Sequence, residues 1–212
     1  NAINLNNVNS LLQLNQTTVT LVEQGVAAAA TKGIAVVTNP ATITTLTHTT
    51  GSRIDLGGAG GAGLTITNGF NVGANTLVLS GTGTLAVGGG IDLNAASSVI
   101  QRTGVGIVTA ALTFSGDGSK LDVDANSTFS GAFTINDNAV FDIANGVTLT
   151  VSNAAGLNCG ANNLQFITAD GGTLANTGAL AFTTGTLDAD VSVTITGAIT
   201  VGGNATFDIA NG

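Results

Sequence analysis

Gly131-Ala-Phe-Thr-Ile-Asn-Asp-Asn-Ala-Val-Phe-Asp-Ile-Ala-Asn-Gly146 returns 66 residues later as Gly197-Ala-Ile-Thr-Val-Gly-Gly-Asn-Ala-Thr-Phe-Asp-Ile-Ala-Asn-Gly212, with 11 of 16 positions identical. Each copy holds two short runs in which apolar and polar residues alternate, and alternation is how a half-buried strand reads. Two fainter echoes accompany it. Ala111-Leu-Thr-Phe114 returns as Ala179-Leu-Ala-Phe182 at an offset of 68, and Asn71-Val-Gly-Ala-Asn75 as Asn158-Cys-Gly-Ala-Asn162 at an offset of 87. These offsets are three and four units of about 22 residues, a spacing characteristic of stacked repeats.

The same period-2 pattern runs outward from these segments, in Thr17–Val22, Leu64–Thr67, Thr76–Leu79, Thr84–Val87, Val147–Val151 and Val191–Ile195. Turn dipeptides separate the runs: Asn68-Gly69, Asp117-Gly118, Asn145-Gly146 and Asp170-Gly171. An apolar-Asp-apolar triplet occurs five times, at Ile54-Asp55-Leu56, Ile91-Asp92-Leu93, Leu121-Asp122-Val123, Phe141-Asp142-Ile143 and Phe207-Asp208-Ile209. On a strand it points two side chains inward and the Asp outward. A β-sandwich would also have short strands, but the long repeat and the Gly-rich turns point to an all-β parallel β-helix, or β-solenoid, of roughly 22 residues per coil. At the usual strand spacing the chain should make about ten coils, a rod about 45 Å long. Residues 1–33 differ in character, with room for a helical turn closed by Gly33, and read as an N-terminal cap or docking segment. The repeats occupy 34–212.

Composition supports that reading and excludes several functions. Of 212 residues only 8% are charged while 43% are hydrophobic, too apolar for a disordered tail. Neutral Thr and Asn must therefore cover the surface, and both suit the stacked ladders of a solenoid. Carboxylates suit them poorly, because like charges opposite one another repel. Four basic against 12 acidic residues give a net charge of −8, which argues against nucleic-acid partners and anionic membranes. No apolar run reaches the length of a membrane helix, so no membrane insertion by this segment is expected. A single Cys159 and a single His48 leave no disulfide and no zinc set.

Few residues point to chemistry. Gly58-Ala-Gly-Gly-Ala-Gly63 matches a dinucleotide fingerprint, but a strand follows it where a helix is needed, so it reads as a turn. His48, in the Thr-rich run 44–50, reads as a solvent-facing strand residue with no nucleophile elbow to serve. Asp122 with Asp124, and Asp188 with Asp190, put paired carboxylates on one strand face. They are candidates for a weak Ca²⁺ site and the best enzymatic lead, because β-helix polysaccharide enzymes use carboxylate clusters. Sugar clefts want aromatic platforms, however, and the chain has neither Trp nor Tyr. Arg53 with Asp55, and Lys120 with Asp122, read as surface ion pairs. The Phe residues from 114 onward read as a core stack. Gly57–Gly63 and Asn153–Asn163 are candidate inserted loops. No catalytic residue, cofactor or metal is expected.

Gly73-Ala-Asn-Thr-Leu-Val-Leu-Ser-Gly-Thr-Gly-Thr-Leu-Ala-Val-Gly88 and the Phe-Asp-Ile-Ala-Asn-Gly copies resemble bacterial autotransporter passenger domains, in particular the rickettsial-type outer-membrane surface antigens. The resemblance spans the chain from about Ile34 and lies in composition and loose repeats. It implies a right-handed β-helix exported to the bacterial cell surface. It carries over no functional residue. Two functions follow as expectations: a non-catalytic extracellular structural protein forming a stalk, coat or filament, or an adhesin for a cell-surface receptor. A polysaccharide-acting enzyme is a distant third. The expected partners are further copies of the chain, joined end to end or side by side, or the continuation of a longer chain.

Overall fold

The computed structural model describes residues 2–5, 11–14, 18–24, 33–36, 39–48, 51–57, 62–167 and 171–209. All regular structure among them is β-strand, and strands from successive turns pair in parallel. The chain is a β-solenoid of about eight turns at roughly 21 residues each. That is fewer than the ten turns of 22 expected.

Three walls enclose the core. The first carries residues 18–19 and 41–43, Leu64–Ile66, Thr84–Val87, Ile107–Thr109, Ser127–Phe129, Thr148–Val151, and residues 172–175 and 193–196. The second carries Ala2–Leu5, residues 21–24 and 45–48, Phe70–Asn71, Ile91–Leu93, Leu112–Phe114, Phe133–Ile135, Leu157–Gly160, and residues 179–182 and 198–201. The third runs through ten strands, from Leu11–Leu14 and Gly33–Val36 to Thr186–Ala189 and Thr206–Ile209. The described parts of segment 1–33 are strands of these same walls, not the helical turn expected there.

Alternation sorts the side chains. Ile100, Leu121, Phe141 and Phe166 stack inward on the third wall, as do Leu64, Leu85, Val108 and Phe129 on the first. Rings from all three walls meet at mid-rod. Phe133 lies 5.4 Å from Phe129 and 6.2 Å from Phe141, which is 5.5 Å from Phe114 and 5.9 Å from Phe166. Their tilted and edge-on geometry adds to the burial each ring contributes.

The fainter echoes prove to be the true structural repeats. Leu112 aligns through Phe133 and Leu157 with Leu180, an offset of 68. Asn71 aligns through Asp92, Thr113 and Thr134 with Asn158, an offset of 87. At both ends of this second echo a buried residue, Val72 or Cys159, precedes a corner glycine in the left-handed region, Gly73 at φ 66° and Gly160 at φ 56°. A side chain there would be strained. The strongest echo holds register on the second wall, where Phe133 aligns through Leu157 and Leu180 with Ile199, an offset of 66, and loses it on the third. Phe141 aligns through Phe166 and Ala189 with Ile209, while Phe207 stacks over Leu187, Leu164 and Ala139. A slip of two residues keeps each side chain on its face but moves it to another column. Phe141 is fully buried, whereas Phe207, on the last turn, is 43% exposed.

Candidate functional site

Outward side chains divide the rod by charge. The third wall displays Arg53, Asp55, Lys120, Asp122, Asp142, Asp188 and Asp208. Among the described residues from Ala41 onward the first wall displays no charge at all. Its outer columns are Thr42–Thr65–Ala86–Thr109 and Thr84–Ile107–Thr128–Thr150–Ala175–Thr196. The second wall displays Asn71–Asp92–Thr113–Thr134–Asn158, with Asp92 accepting from Ser115 Oγ at 2.6 Å.

Side-chain ladders tie successive turns together as expected of Asn and Thr. Asn138 Nδ2 donates to Asp117 Oδ1 at 2.8 Å, Asn163 N–H to Asn138 Oδ1 at 3.0 Å, and Thr186 N–H to Asn163 Oδ1 at 3.0 Å. This line crosses four turns at one corner. Asn68 Nδ2 donates to Thr45 Oγ1 at 2.8 Å in the same manner.

Carboxylates do stack on the third wall, against the simple expectation. Asp122 lies directly opposite Asp142 on the next turn. Lys120 makes this tolerable: its Nζ is 2.6 Å from Asp142 and 3.8 Å from Asp122, so its closer partner is across the turn. Burial opposes the ammonium charge, but the bond to Asp142 and the nearby carboxylates outweigh it and raise the Lys120 pKa. Burial holds the Asp122 carboxyl above the usual carboxylate range, against the pull of Lys120. The Arg53–Asp55 pair forms at 3.1 Å, and Arg53 Nε also donates to Ser80 Oγ at 2.8 Å.

The Ca²⁺ candidates are thus distributed rather than gathered. Asp122 faces Lys120, Asp124 accepts from Gln101 Nε2 at 2.9 Å, and Asp188 accepts from Gln165 Nε2 at 3.0 Å. Asp188 lies opposite Asp208. Burial, then Asp190 and Asp208, raise its pKa. Among the described residues no three His, Cys, Asp or Glu side chains converge on one point, and no helix is long and apolar enough to cross a membrane.

Two basic residues sit where the composition gave no reason to look. His48 is buried, not solvent-facing. The strand Ala41–His48 turns a corner at Thr44 and Thr45, both outward, after which Leu46 and His48 point in. Its Nδ1–H donates to Val72 O at 2.9 Å, and Nε2 has no partner. Burial lowers its pKa, with the Val72 bond opposing. Arg102 is completely buried, in the column Ile34–Ile54–Leu79–Arg102–Val123–Ile143. Alternation from Ile100 predicts both the inward direction and the anomaly. Cys159 is buried on the second wall, and burial pushes its thiol up to about 12.

The candidate insertion Asn153–Asn163 does not emerge as a loop. Asn153–Asn163 contributes a corner and the strand Leu157–Gly160, with Leu157 and Cys159 in the core. Gly57–Gly63 is described only at residues 57, 62 and 63, so most of that turn lies outside the described residues. A shallow groove follows the corner between the first and second walls, lined by Thr65, Thr67, Ala86, Gly88, Thr109 and Ala111. At the C-terminal end the last described turn leaves Ile199, Val201, Phe207 and Ile209 between 43% and 57% exposed.

Comparison with protein-family models, with curated proteins and with solved structures finds no match to this chain.

Proposed function

We propose that this chain is a non-catalytic extracellular structural rod, part of a bacterial surface stalk, coat or filament built by packing solenoids together. The observation that carries the reading is the first wall, which displays no charge among the described residues from Ala41 onward. A long parallel face of Thr, Ala and Ile with no charge on it has little electrostatic protection against association. Among those residues none supplies a proton-transfer group. On the last described turn the exposed Ile199, Val201, Phe207 and Ile209 add apolar area that a second copy would cover. Contacts of this kind, built from neutral groups and apolar area, are insensitive to salt.

Electron microscopy of the purified chain tests this directly, with light scattering from low to high ionic strength beside it. Rods, sheets or filaments that persist in high salt are the expected result. A monodisperse monomer at all concentrations overturns the proposal. The second reading is an adhesin, favoured by exposed Val105 and Ile107, at 50% and 45%, beside the neutral wall. A receptor that binds through this patch would lose affinity on Val105→Asp substitution, while rod assembly through the end turns would not change.

A further inference from the structure

Arg102 is a charged side chain buried in an apolar column. Its neighbours in the column are aliphatic, and it is 0% exposed. Of its guanidinium nitrogens, Nη2 reaches Gly81 O at 3.4 Å, while Nε and Nη1 have no partner. Burial lowers its pKa only to about 10, so it stays charged at neutral pH. A buried charge is retained when something compensates it, and no described carboxylate is ion-paired with Arg102. Asp124 accepts from Gln101, and Asp55 is paired with Arg53. Neither described ion-paired cation is Arg102.

The guanidinium points at a corner made of backbone. Gly104 packs on Gly81, and Gly106 packs on Gly83 and on Arg102 itself, where a Cβ would overlap Nη2. Among the described residues the N–H groups of Gly104, Val105 and Gly106 donate to no backbone carbonyl. A buried cation with two unpartnered donors therefore packs against a corner whose Gly104, Val105 and Gly106 amides reach no backbone carbonyl among the described residues. Successive amides beside a guanidinium are anion-binding chemistry.

We propose that the Thr103–Gly106 corner is a binding site for a compact monoanion, chloride or a single carboxylate group, held by Arg102 and the corner amides. The anion neutralises the charge inside the rod and fastens the third wall to the first at that turn. A bulky anion does not fit beneath a corner whose residues are packed against the turn below.

The test is thermal melting of the wild-type chain and of Arg102→Met, which restores an aliphatic column. Chloride and acetate are raised in separate arms, each at constant ionic strength against a bulky organic sulfonate. The wild-type melting temperature should rise by roughly 5–10 °C when the anion reaches about a hundred times its Kd, and R102M should stay flat. A rise with acetate alone supports a carboxylate source, and a rise with chloride an inorganic one. Where chloride raises the melting temperature, line broadening of ³⁵Cl in the NMR spectrum of the wild-type chain, reversed by acetate, gives a reading that needs no variant. Parallel melting curves for the two proteins in both the chloride and the acetate arms overturn the proposal.

Discussion

Phe141 and Phe207 open the same hexapeptide, Phe-Asp-Ile-Ala-Asn-Gly, so replacing each by Ala separates sequence from environment. Phe141 is 0% exposed and packs against Phe114 at 5.5 Å, Phe166 at 5.9 Å and Phe133 at 6.2 Å. Its truncation removes the buried ring and leaves a cavity that three neighbouring rings border, at a cost of about 4 kcal/mol. Phe207 is 43% exposed with one ring partner, Phe182 at 6.2 Å. Only part of its area leaves water and solvent fills the gap, so F207A costs about 1 kcal/mol. The difference of about 3 kcal/mol is measurable by urea denaturation followed by circular dichroism, at a dilution where light scattering reports monomers. Solenoids need not unfold in one step, so the comparison rests on the first transition in each variant. Equal costs for the two substitutions would refute the assignment of these residues to core and open end.

Three further outcomes follow from the charged and buried groups. His48 has a folded pKa below 6.5, so the unfolded chain binds the extra proton more readily; stability is full above about pH 6.5 and falls as pH drops toward the folded value. His48→Leu should remove that component from the pH 5–7 stability curve, and superimposable curves would show the ring is not buried. Lys120→Met should cost about 1 kcal/mol at pH 7 by leaving Asp122 opposite Asp142 uncompensated; the loss should shrink as pH falls and Asp122, whose pKa burial raises, takes up its proton, and a pH-independent loss would assign it to packing. Cys159 should resist a thiol reagent in the native state and react fully in urea, because its pKa near 12 keeps it protonated and burial keeps it covered; fast native labelling contradicts its place on the second wall.

Several parts of this arrangement were legible residue by residue. The apolar-Asp-apolar triplets set face and direction correctly: Asp55, Asp92, Asp122 and Asp142 all point outward between buried neighbours. Asp142 is nonetheless half covered, because Lys120 from the preceding turn lies over it at 2.6 Å. The same alternation, carried on from Leu46 and Ile100, would have turned His48 and Arg102 inward. The expectation that His48 faces solvent came from its Thr-rich surroundings, and it failed because the strand shifts face at Thr44 and Thr45.

What the amino-acid sequence determined by itself is the period-2 alternation, the turn glycines and hence a stacked all-β rod with a neutral surface. Those are local properties, carried by neighbours along the chain. Which turn lies on which was decided by the tertiary structure. Successive partners on the third wall are 20 residues apart at Gly33 and Arg53, 23 at Leu77 and Ile100, and 25 at Ala139 and Leu164. Corner lengths absorb these differences, so the 66-residue echo, the most conspicuous in the sequence, holds on the second wall from Phe133 to Ile199 but is displaced by two on the third, where Phe141 aligns with Ile209. The gathering of charge on one wall, the Lys120 bridge across turns and the isolation of Arg102 all depend on that register. They are invisible locally because each joins residues about one turn apart through side chains that only stacking brings together.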